Sequence, residues 1–198
     1  MSVLSDLTAR VPASLKTRAA AVALVAISQL GVLGYIVVGR VAHLKNGREI
    51  TLPIIPVDPR DLFKGDYVRL GYTVANLKRD ALEGQPPGRG QPAFVTIDQQ
   101  SDGTWTVIRI TARYPDKLTA SQAVLRAHHH SGGAWDHWPL SARYGIERNY
   151  VPEGKGPALE QLARDKKLAA NVALDRNGNA AIKGLSADGK IIYDEPLY

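Results

Sequence analysis

The chain has 198 residues, no cysteine and a formal net charge of +6. Without cysteine, thiol catalysis, disulfides and cysteine-ligated zinc are excluded together. The positive charge does not describe a nucleic-acid surface, because Lys and Arg are interspersed with Asp and Glu and form no basic block.

Residues 1–18 are a polar lead-in carrying Arg10, Lys16 and Arg18, read as a short cytoplasmic N-tail. Residues 19–39, bracketed by Arg18 and Arg40, are 21 uncharged residues. At about 1.5 Å rise per residue a helix of that length spans roughly 30 Å, the thickness of a bilayer's hydrocarbon core. A single transmembrane anchor is predicted here. A cleaved secretory signal has a shorter apolar core and a small-residue cleavage site. In its place Gly39-Arg40-Val41-Ala42-His43 carries an arginine. Cations flank the span on both sides, so the positive-inside balance is nearly even. A basic tail before one span is the usual pattern of a signal anchor, which places residues 41–198 in the periplasm.

Residues 41–198 suffice for one soluble domain with a real core. Glu49 to Val57 is apolar and β-branched, and its prolines predict an edge or bulged strand. Tyr67 to Val74 reads as a second strand, and Gln85 to Gln91 as a surface loop. Ala93 to Asp98 and Thr104 to Ile110 form a hairpin about Ser101-Asp102-Gly103. Two further hairpins are predicted about Arg176-Asn177-Gly178-Asn179 and Ala187-Asp188-Gly189. Pro157 to Lys167 carries Leu159, Leu162 and Ala163 at helical spacing. Short strands with frequent turns predict a mainly β fold, a compact barrel or sandwich with one helix, behind the transmembrane helix.

Gly65-Asp66-Tyr67-Val68-Arg69-Leu70-Gly71-Tyr72 fits GDYxxLxY at every fixed position. The match continues upstream through Pro56 to Phe63, and a second block lies at Tyr144 to Gly154. The chain thereby resembles the GDYxxLxY family of bacterial membrane-anchored proteins, and the resemblance covers the soluble domain nearly end to end. It implies no reaction. It does imply an exported protein acting beside a multi-spanning membrane protein. Pro59 to Leu70 is also similar to the turn that follows the nucleophile of type I signal peptidases. That serine chemistry is excluded, since Ile54 to Asp58 offers no Ser, Thr or Cys.

Period two puts Val68, Leu70 and Tyr72 on one face of the motif strand, and Tyr67, Arg69 and Gly71 on the other. Asp66 suits an Asx-type cap onto backbone amides. His128-His129-His130 with Asp136 and His137 is the one metal-like cluster, and it reads as a solvated loop without fixed ligand geometry. No metal or cofactor is predicted. Glu147 falls in a strand-like Tyr144 to Val151, and Glu153-Gly154-Lys155-Gly156 leads into the helix.

Arg60, Asp66, Tyr67, Arg69, Glu147, Arg148, Glu153 and Lys155 together form the candidate binding face. The leading reading is a non-enzymatic accessory domain bound to another envelope protein. The competing reading is an envelope hydrolase with Asp66, Glu147 and Glu153 as acid-base groups. A pocket holding two of these carboxylates about 5 to 10 Å apart favours the enzyme, and a Tyr/Arg patch favours the partner. The two blocks are expected to adjoin, with Arg148 exposed.

Overall fold

A computed structural model describes residues 15–56, 67–129, 135, 138–150 and 156–196. The chain divides into two compact units, Met1–Arg40 and Val41–Tyr198. Helix α1 (Leu15–Asn46) contains the whole apolar run and continues past it. It is long and apolar enough to cross a membrane, and its large apolar side chains from Val22 to Val38 are exposed. A core helix of a soluble domain would bury them.

The second unit is mainly β. Strand β1 (Arg48–Ile55) buries Ile50, Leu52 and Ile54, every second residue, as a strand with one covered face must. It pairs with β10 (Leu168–Leu174) through Arg48 to Pro53, and with β3 (Gly71–Tyr72) only at Ile54 and Ile55. It is therefore an inner strand of its sheet rather than the edge strand its prolines suggested. Pro53 is accommodated because β3 begins pairing only one residue later, which leaves the proline with a neighbour on one side.

Beyond β10 the same sheet continues with β11 (Ala180–Ala187) and β12 (Lys190–Asp194), all neighbours antiparallel. Asp188 and Gly189 join these two strands with φ of 47° and 79°, the paired left-handed conformation of a tight primed hairpin. The second five-stranded sheet has the order β4 (Asn76–Leu77), β8 (Leu140–Arg143), β7 (Gln122–His129), β5 (Ala93–Gln99), β6 (Trp105–Thr111). The β5–β6 turn is held by Asp102, whose Oδ1 accepts from the Thr104 amide and hydroxyl at 2.9 and 2.7 Å. A two-stranded ribbon completes the fold, β2 (Tyr67–Arg69) against β9 (Arg148–Tyr150).

Helix α2 (Gly156–Arg164) buries Leu159 and Ala163, one turn apart on one face. The main apolar cluster joins both five-stranded sheets and α2: Leu52 and Ile54 of the first sheet, Val95, Ile97 and Leu125 of the second, Leu70, Tyr72 and Ile146, and Leu159 of the helix.

Several elements differ from the sequence expectation. Tyr67 to Val74 is not one strand: pairing passes from the ribbon to the first sheet across Leu70, and Thr73–Ala75 is a 3-10 turn. His128 and His129 finish β7 rather than lying in a loop, and His130, Asp136 and His137 lie outside the described residues. Among the described residues no three His, Asp or Glu side chains group as a metal site.

Candidate functional site

The two signature blocks meet. In the ribbon Tyr67 stands opposite Tyr150, Val68 opposite Asn149 and Arg69 opposite Arg148. Where β2 ends, the Leu70 amide donates to the Glu147 carbonyl at 2.9 Å. The chain then enters β3, so the motif is a hand-off between two sheets.

Two buried tyrosines lock this junction reciprocally. Tyr72, the last residue of the first block, donates its hydroxyl to the Ile146 carbonyl at 2.9 Å. Tyr144, the first residue of the second block, donates its own to the Val74 carbonyl at 2.5 Å. Gly145, at φ 82°, supplies the left-handed step by which the backbone turns between Tyr144 and Ile146, both buried. The turn is closed by Glu147, whose Oε1 accepts the Tyr144 amide at 2.5 Å. Burial first, and the Glu147 charge second, push both phenols well above the ordinary tyrosine range. Both therefore remain neutral O–H donors.

Beside this lock lies a cleft of about 400 Å³, lined by Arg69, Asn76, Ser141, Arg143, Glu147 and Arg148 with Ile55 and Gly71. All three guanidinium side chains belong to exposed residues. Arg69 and Arg148 are directly opposite across the ribbon, where like charges repel. Arg148 has an interaction partner within the fold. Glu147 is the cleft's one carboxylate among the described residues, and an oxygen of it is engaged by the turn. A cleft of about 480 Å³ lies beside the Thr73–Ala75 turn, with Lys78, Asp80 and Trp105 in its walls. Among the described residues, none of the binding-face candidates singled out from the sequence lines it.

Of those residues, Arg69, Glu147 and Arg148 come together at the first cleft, and Tyr67 contributes its backbone to the ribbon. Glu147 precedes β9 instead of lying within a strand. Arg60, Asp66, Glu153 and Lys155 lie outside the described residues. The sequence reading missed Arg143, Ser141 and Asn76. For Ser141 and Arg143 the signal was the four-residue alternation Leu140-Ser141-Ala142-Arg143, buried and exposed in turn.

A family model described as GDYXXLXY protein matches residues 29–185, which include both blocks and every residue of the cleft. The chain belongs to the GDYXXLXY family. Comparison with curated proteins and with solved structures finds no match. In this GDYXXLXY protein the fixed Leu70 and Tyr72 of the motif are buried, while Arg69 between its fixed positions is exposed. The named residues build the junction, and a variable position faces the cleft.

Proposed function

We propose that this GDYXXLXY protein is a membrane-anchored accessory domain of the bacterial envelope. Helix α1 is the anchor, residues 41–198 face the periplasm, and the cleft at the paired blocks engages another membrane protein, a multi-spanning one. The observation that carries this reading is the convergence of Arg69, Arg143 and Arg148 on one open cleft, where Glu147, the one carboxylate among the described lining residues, is already used to close a turn. Guanidinium groups make good recognition elements and stay protonated throughout the physiological range, so they suit binding rather than proton transfer.

Topology is checked directly. An alkaline phosphatase fused after Tyr198 is expected to be active in cells, and a β-galactosidase at the same position silent. The opposite pattern would place the domain in the cytoplasm and overturn the reading.

Function is checked by co-purification of the full-length protein in mild detergent. The Arg69→Glu/Arg143→Glu variant is expected to lose its membrane partner. Its unfolding free energy should move by less than about 0.5 kcal/mol per site, because both positions are exposed. Retention of the partner by a folded variant removes the cleft from the proposal.

A further inference from the structure

We infer that the cleft seats an extended acidic peptide segment, held as an added strand with its carboxylates on the arginines. The inference rests on the accessory-domain reading and supplies the chemistry of the occupant.

Three strand margins run out at this place. β3 is the terminal strand of the first sheet and β4 the terminal strand of the second. β4 pairs only with Leu140 and Ser141, so Ala142 and Arg143 have no strand on that side among the described residues. Gly71 of β3, Asn76 of β4 and Arg143 of β8 all line the one cleft. Strand margins of this kind keep amide and carbonyl groups open to a further chain, and an extended peptide satisfies them through its own backbone.

Side-chain chemistry selects the sign. Arg69 and Arg143 form no ion pair with any described carboxylate, and Arg69 faces the like charge of Arg148 across the ribbon. An incoming carboxylate takes a guanidinium fork through two parallel hydrogen bonds. A strand repeats its side chains on one face about every 7 Å, so alternating acidic residues present successive carboxylates to the arginines. A free oxyanion would use the arginines and leave the strand margins unused, which is why the peptide is the better fit.

The full-length protein in detergent is titrated into a fluorescein-labelled peptide, acetyl-Val-Glu-Val-Glu-Val-Glu-amide, and anisotropy is read. Binding is expected to be at least ~10-fold tighter than for the peptide with Gln at each Glu. Arg69→Gln/Arg143→Gln should lose a similar factor of ~10, and Arg176→Gln, outside the cleft, should lose none. Superimposable melting curves show that the variants are folded. N-methylation of alternate peptide amides should also abolish binding, because it blocks strand addition.

Equal affinity for the Gln peptide overturns the inference, as does full affinity in the double Gln variant. Insensitivity to N-methylation overturns the strand. Displacement by millimolar inorganic phosphate, or by phosphatidylglycerol micelles in place of the peptide, assigns the cleft to a simple oxyanion or a lipid headgroup and overturns it likewise. If the peptide fails while Arg69→Glu/Arg143→Glu still loses the co-purified partner, the occupant is wrong and the accessory-domain reading survives. If the peptide binds while no partner depends on these arginines, the failure lies with that reading.

Discussion

Leu70→Ala is expected to cost about 2–5 kcal/mol of folding free energy, the range for truncating a buried leucine. Leu70 is 2% exposed and belongs to the main core cluster. It also sits at the one point where the chain passes from the β2–β9 ribbon to the first sheet, with its amide bound to Glu147. Removing its branched end takes apolar surface out of the core and leaves a void that the two sheets cannot close independently. Since a domain's total stability is about 5–15 kcal/mol, the loss is a large fraction of the whole. Chemical denaturation followed by tryptophan fluorescence reads it. Leu70→Met, which nearly conserves volume, should cost less than about 1.5 kcal/mol. Arg69→Ala, one residue away and exposed, should cost less than about 0.5 kcal/mol. A Leu70→Ala loss as small as that of Arg69→Ala would mean that the motif leucine does not bear on the core.

The contrast between these neighbours also shows what the sequence could and could not reveal. The apolar run of α1 was legible because its signal is local: length and the absence of charge suffice. The β5–β6 and β11–β12 hairpins were legible for the same reason, since Asp102-Gly103 and Asp188-Gly189 carry the turn chemistry themselves. Alternation correctly placed Leu70 and Tyr72 inside and Arg69 outside. It could not show that the strand changes partners at Leu70, because the acceptor of that amide is Glu147, far along the chain. Pro53 misled for a related reason. A proline marks a strand position lacking a ladder donor, and whether that makes an edge depends on where β3 happens to end. The adjacency of the blocks was anticipated from their shared composition. Arg143 was not, because four alternating residues behind Trp138-Pro139 give too short a pattern, and β8 reaches the cleft only through its pairing with β4 and β7.

Removing the two hydroxyls of the tyrosine lock should destabilise the domain strongly and non-additively. Tyr72→Phe leaves the Ile146 carbonyl, and Tyr144→Phe the Val74 carbonyl, without the phenol that now satisfies it. Each buried acceptor stranded in this way costs about 1–3 kcal/mol. The two bonds cross between the same pair of chain segments in opposite directions, so loosening one loosens the frame of the other. A double-mutant cycle should therefore give a coupling of at least about 0.5 kcal/mol, whereas independent sites add. An alkaline titration supplies a second reading. Both phenols are held above the ordinary tyrosine value, chiefly by burial and then by Glu147. As the pH rises through about 10 the unfolded chain releases these protons while the folded one keeps them. The unfolded state then binds fewer protons, and folding stability falls with pH. The wild-type domain should lose stability above about pH 10 along a limb that the double Phe variant flattens. Identical alkaline limbs, with additive losses in the cycle, would show that the two signature blocks are held together by packing and the backbone ladder without the phenol hydroxyls, and that the closing tyrosine of the motif is there for its ring.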